Sequence, residues 1–357
     1  MELKPIAEQV VVVVGASSGI GRATALAFAH RGAKVVASAR GETGLRSLVE
    51  EIRSTGGEAT YLTADVNDFE QVEAVGAHAE QTYGRVDTWV GLAAVSLYAT
   101  FEQTTPEEFK RVVDTNLTGA AYNAMVALPH LRRAGGGALI LVSSVEARRA
   151  LPLQAAYAAS KHGIKGFVDA LRVELLSEGA PVSVTEVMPS GINTPFFNRA
   201  RTKIGVKPMP IQPVYQPETV AHAILHAAET PTAEIIVGGG GKAFAVTEKI
   251  APRLLDVALT RFGFDGQRSS EPKSEDAPDN LFQTLDNDDR IHGDFSEVAL
   301  QRSAYTWLAT HPRATGAIAA TALGAAAALL LTRGGGRGDG GRQSSRESAP
   351  RRRRLAR

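Results

Sequence analysis

The chain has 357 residues, enough for one large α/β domain with an appendage, or for two domains at ~150 residues each. Its 44% apolar and 22% charged residues are a globular composition, which excludes a wholly disordered, collagen-like or polytopic membrane chain. A net charge of +1 excludes a chain-wide nucleic-acid binder, and the lack of cysteine excludes disulfides, zinc fingers, iron–sulfur clusters and a thiol nucleophile. The cysteine-free composition suits a reducing cytosol. The first apolar run is too short for a secretory signal and leads into glycines, not a cleavage site.

Seven short apolar runs predict strands: 10–14, 34–39, 59–62, 88–93, 138–142, 182–187 and 234–237. Helix-like stretches separate them, the pattern of βαβ units around a parallel sheet. Several runs are almost continuously apolar, as strands covered on both faces must be. The first run, five valines, passes into Gly15-Ala-Ser-Ser-Gly19-Ile-Gly21 and then a helix-like stretch. In that setting glycines admit a pyrophosphate to the backbone, and the helix N-terminus favours the anion. The second run ends at Ala39-Arg40, where an acid would serve the ribose of NAD. Arg40 instead suits a 2′-phosphate, favouring NADP.

Asn116 follows a helix-like segment and is placed to support a polar relay. The run at 138–142 ends in Ser143-Ser144, where Ser144 can donate to a substrate oxygen. Thirteen residues on, Tyr157 and Lys161 stand four apart in a helix-compatible stretch and share one face. A neighbouring ammonium lowers a phenol's pKa, so the tyrosine can work as general acid or base on a carbonyl/alcohol pair. His162 is turned off that face, and no histidine pattern suggests a zinc site, so no catalytic metal is expected. The stretch 195–217, with Phe196, Phe197, Ile204, Met209 and Tyr215, suggests an apolar substrate.

Together these motifs, in order and spacing, resemble the classical short-chain dehydrogenase/reductase family over roughly residues 5–255. The resemblance implies a Rossmann-type doubly wound parallel sheet with helices on both faces. It implies an oxidoreductase passing hydride between NADP(H) and a secondary alcohol, ketone or aldehyde. Tyr157 would be the acid/base, Lys161 would hold the nicotinamide ribose, Ser144 would stabilise the reacting oxygen, and Asn116 would anchor a water beside Lys161. Cofactor contacts would come from Gly15, Ser17, Ser18, Gly19, Ile20, Gly21, Arg40, Asp65, Val66, Asn116, Tyr157, Lys161, Pro189, Ile192 and Thr194. It also implies a homo-oligomer. Two places depart from the family. Its Asn-Asn-Ala-Gly is Gly91-Leu-Ala-Ala94 here, which removes polar groups expected to brace the fourth strand. Its Pro-Gly is Pro189-Ser190. The first departure leaves a competing reading, a membrane-tethered nucleotide sensor with weak or no turnover.

Beyond residue 255 the sequence predicts a polar, acidic linker with a short amphipathic helix over 256–312. Residues 314–332 carry no charge and as a helix would span ~28 Å, so 313–333 is a candidate membrane-associated apolar helix. Gly316, Ala320, Gly324 and Ala328 would equally suit close helix contact. The remainder, 334–357, reads as a disordered basic tail with no pattern for specific nucleic-acid recognition. The expected location is a cytoplasmic catalytic domain, held at a membrane if that helix inserts.

Overall fold

The computed structural model describes residues 2–285, 289–311 and 314–315. The seven expected strands form one parallel sheet: β1 Val10–Val14, β2 Lys34–Ala39, β3 Ala59–Thr63, β4 Thr88–Gly91, β5 Gly137–Val142, β6 Val182–Pro189 and β7 Glu234–Val237. Their order is β7-β6-β5-β4-β1-β2-β3, a doubly wound sheet whose strand order reverses between β1 and β4. Strand β4 stops at Gly91, two residues before the expected end.

The valines of β1 explain the layering. Side chains alternate along a strand, so Val11 and Val13 enter one core and Val12 and Val14 the other. The first core packs against α1 (Gly19–His30), α2 (Glu42–Ser54) and α7 (Pro217–Glu229), through Phe28, Leu45, Leu48, Ile52 and Ile224. The second packs against α3 (Phe69–Tyr83), α5 (Gly119–Arg133) and α6 (Ala155–Ser177), through Val75, Leu131, Ile164 and Val168. Each such fully buried side chain contributes ~1.5–3 kcal/mol. Between α3 and α5, α4 (Pro106–Val113) begins at a Thr105/Glu108 capping box.

The region expected to be a linker is part of the body. Residues through Thr310 form one compact unit. Helices α8 (Gly239–Ile250) and α9 (Pro252–Phe262) follow β7, and Arg268–Pro272 pairs antiparallel with Val206–Pro208. Leu281 is completely buried, Leu300 bonds Val214 and Gln216 through its backbone, and Thr306 accepts from the Gly238 amide at 2.9 Å. Scattered apolar residues in an acidic context sufficed to dock it. Apart from Ala314 and Thr315, the expected apolar helix and basic tail lie outside the described residues. Among the described residues no helix is long and apolar enough to cross a membrane.

Candidate active site

At the switch point a cleft of about 440 Å³ runs along the carboxyl ends of the strands. Its first wall is the turn from β1 to α1. Gly15 has φ +96°, and a Cβ there would lie 2.8 Å from the Ala93 nitrogen. A Cβ on Gly21 would lie 2.0 Å from the Gly15 carbonyl oxygen. Only glycine lets this turn close so tightly. Gly15, Ser17, Ser18, Gly19, Ile20, Gly21, Arg40, Val66, Pro189, Ile192 and Thr194 all line the cleft, as do Ser144, Tyr157 and Lys161. Amide groups at a helix N-terminus, serine hydroxyls and a guanidinium form a donor set that fits a phosphate-bearing dinucleotide.

Two expected contacts lie outside this lining. Asp65 accepts from the Asn67 amide and side chain at 3.0 and 2.6 Å, and faces Arg111 at 3.4 Å. Asn116 sits at the wide turn between α4 and α5. Its side chain accepts from Val95 N–H at 2.8 Å and donates to Val95 C=O at 3.0 Å and Ser160 Oγ at 3.2 Å. It clamps the segment after β4 and makes no direct bond to Lys161.

The changed segment after β4 has its own bracing. A Cβ on Gly91 would lie 2.9 Å from Leu141 Cδ2 and 3.3 Å from the Asn123 Cβ, so Leu141 of β5 and Asn123 of α5 fill that space. Asn123 accepts from Trp89 Nε1 at 2.8 Å and donates to the Gly119 carbonyl at 2.7 Å. The Trp89 bond ties β4 to the neighbouring helix.

The chemical end of the cleft is built by β5 and α6. Ser144 ends the run after β5 and accepts from the Glu146 amide at 3.1 Å. Lys161 is buried, donates to the Val142 carbonyl at 3.2 Å and sits 5.3 Å from the centroid of the Tyr157 ring. Phe196 packs edge-on to that ring at 5.9 Å. The expected lowering of the phenol pKa is not what the site produces by itself. Burial pushes Tyr157 well above its ordinary value and the Glu146 carboxyl adds to the rise, against a hydrogen bond with Ser144. Burial brings Lys161 down to about 8, opposed by Glu186 and Glu146. Desolvation is the largest cause of both shifts.

Several cleft residues carried no signal in the sequence. Glu146 and Gln267 line the chemical end, with Leu259 and Phe262 of α9. Asn280, Thr284, Leu285 and Asp289 line the nucleotide end. There Arg40 donates to the Asn280 carbonyl at 2.7 Å, Arg199 to Ser18 Oγ at 3.0 Å, and the Gly19 amide to the Arg290 carbonyl at 2.9 Å. The leucine-phenylalanine pair after Asn280 was the one available hint. Of the substrate-loop residues, Phe196, Phe197 and Met209 reach the cleft, while Ile204 and Tyr215 pack into apolar clusters. Among the described residues no group of three or more His, Asp or Glu is placed to hold a metal.

A family model, short chain dehydrogenase, matches residues 9–205. The chain belongs to the short-chain dehydrogenase family. It is 40% identical over 282 residues to the uncharacterized oxidoreductase YxnA of Bacillus subtilis (strain 168), covering 78% of this chain and 79% of that one. It is 33% identical over 198 residues to a 3beta-hydroxysteroid dehydrogenase of Mediterraneibacter gnavus, covering 55% and 71%. Among solved structures, an alcohol dehydrogenase from the archaeon Thermococcus sibiricus, complexed with 5-hydroxy-NADP, superposes with a TM-score of 0.57 at 26% identity, covering 64% of this chain and 95% of that one. This short-chain dehydrogenase is thus an oxidoreductase that acts on CH–OH or carbonyl groups of a small molecule with a nicotinamide cofactor.

Proposed function

We propose that this short-chain dehydrogenase interconverts a ketone or aldehyde and its alcohol with NADP(H), and that Tyr157 is its general acid/base. The observation that carries the reading is one continuous cleft with Arg40 and the α1 N-terminus at one end and Ser144, Tyr157 and Lys161 at the other. Bound NADPH supplies the hydride. The protein supplies position, field and a proton. Ser144 and Tyr157 hold the carbonyl oxygen, and the phenol gives it a proton as the carbon is reduced. A phenol held well above its ordinary pKa stays protonated at neutral pH, the state that reduction needs. Lys161 carries charge below about pH 8 and stabilises the phenolate left behind. A guanidinium at position 40 suits a 2′-phosphate, and Arg40 in the cleft lining supports NADP over NAD.

Phe196, Phe197, Met209 and Phe262 give the substrate end an apolar lining, which supports an apolar substrate. Exposed Val173 and Leu176 on α6 support the homo-oligomer that the family implies. The test is titration of the full chain with NADPH and NADH, then cofactor oxidation with a panel of ketones and aldehydes. The expected result is tighter NADPH binding with turnover. NADPH binding without turnover across the panel would contradict the reductase reading in favour of a nucleotide sensor.

A further inference from the structure

Glu146 is a buried carboxyl in the cleft that the proton chemistry at Tyr157 does not use. It stands in the short turn Val145–Ala147 and is 5% exposed. Its own amide donates to Ser144 Oγ at 3.1 Å, so the turn that fixes Ser144 also fixes this carboxyl at the same end of the cleft. One oxygen, Oε2, accepts a long bond from the Leu151 amide at 3.4 Å. Among the described residues, Oε1 has no hydrogen-bond partner. Of the nearby uncharged polar side chains, Ser190 Oγ has no partner among the described residues, whereas Gln154 and Gln267 are spent on one another and on the backbone. Gln154 accepts from Ser96 at 3.3 Å and donates to Gln267 at 2.7 Å. Gln267 donates to the carbonyls of Pro152 and Gly263 at 2.9 and 2.6 Å.

Glu146 Oε1 is unpartnered but not fully buried, so it is open to the cleft and can be reached by a polar group of a bound molecule. We propose that Glu146 is a specificity-determining residue, whose carboxyl hydrogen-bonds a second oxygen, a hydroxyl or carbonyl, beside the reacting carbonyl of the substrate. This rests on the reductase reading above. The preferred substrates are hydroxyketones and diketones with an apolar body. Burial lifts the Glu146 carboxyl up to about 8, so at neutral pH it holds a proton to donate. The titratable groups that face it are Tyr98, Tyr157 and Lys161.

The experiment compares kcat/KM for propiophenone, its α-hydroxy derivative and the matching α-diketone, in the full chain with NADPH. The readout is the ratio of oxygenated to plain ketone, which cancels general losses of activity. Glu146→Leu should lower that ratio by about tenfold or more, the discrimination expected when a polar substituent loses its partner. Glu146→Gln, whose amide can still donate, should keep most of it. In the wild type the diketone ratio should fall as pH rises through about 8, because a carboxylate has no proton to donate to the second carbonyl, and in Glu146→Gln it should stay flat. Equal ratios in the wild type and Glu146→Leu would overturn the proposal. If Glu146→Leu does not fold, a wild-type diketone ratio that ignores pH would overturn it. No reduction of any of the three by the wild type would overturn the reductase reading and this inference with it.

Discussion

Arg40 and Glu146 show what a single side chain decides at either end of the cleft. Arg40 lines the cleft and spends one N–H on the Asn280 carbonyl, while the other N–H groups of its fork could serve the proposed 2′-phosphate. Burial and the nearby Arg111 and Arg199 lower its pKa while Asp65 raises it, a crowd of cations that suits a phosphate dianion. Arg40→Ala should therefore weaken NADPH binding about tenfold or more and leave NADH nearly unchanged, as titration of both cofactors will measure; equal losses would exclude a 2′-phosphate contact. Glu146 makes a separate prediction about stability. Its folded pKa is raised by burial, so its stabilising share is complete below the unfolded value and is lost as pH rises through about 8. Glu146→Gln carries no such loss. The melting temperature of the variant relative to the wild type should climb from pH 5 to pH 9; a constant gap would mean that the carboxyl is solvated. Arg40 was legible because it follows a strand end at a fixed distance from the glycines. Glu146 was not, because a glutamate before Ala-Arg-Arg looks like a solvated turn until tertiary packing buries it.

Among the elements, the seven strands were legible because each is a short run of β-branched and apolar residues bounded by turns. The segment around Asn280 was not. Its acidic composition outweighed three short anchors that only tertiary contacts reveal. The Asn280 amide donates to the Arg199 carbonyl at 2.9 Å, Arg111 Nε donates to the Leu281 carbonyl at 2.8 Å, and the Leu281 side chain is fully buried. Past it, Gly293 donates to the Asn193 carbonyl at 3.2 Å. Leu281→Ala removes the apolar anchor, worth ~2–5 kcal/mol by comparison with other buried leucines. Hydrogen exchange should accelerate around residues 279–285 more than in β1 or β5, and NADPH should dissociate faster. Uniform acceleration across the sheet would show that the anchor serves the whole core and not this segment.

For the molecule as a whole, the sequence placed the seven strands and the glycine turn after β1, and the fold brings Ser144, Tyr157 and Lys161 into the same cleft as that turn. The sequence missed that the chain after β7 is folded onto the body and supplies walls at both ends of the cleft. That error has one cause. Hydropathy averages over a window, whereas Gln267, Leu281, Leu300 and Thr306 each dock singly. The same arrangement makes the enzyme's identity depend on convergence. Ser144, Tyr157 and Lys161 come from β5's end and one face of α6, and the acid/base role of Tyr157 is the claim on which the rest stands. The most direct measurement is single-turnover oxidation of NADPH by a ketone substrate in the wild type and Tyr157→Phe, with NADPH affinity measured on both. The phenylalanine variant should keep its affinity and lose at least ~10²-fold in rate. An unchanged rate would contradict the account.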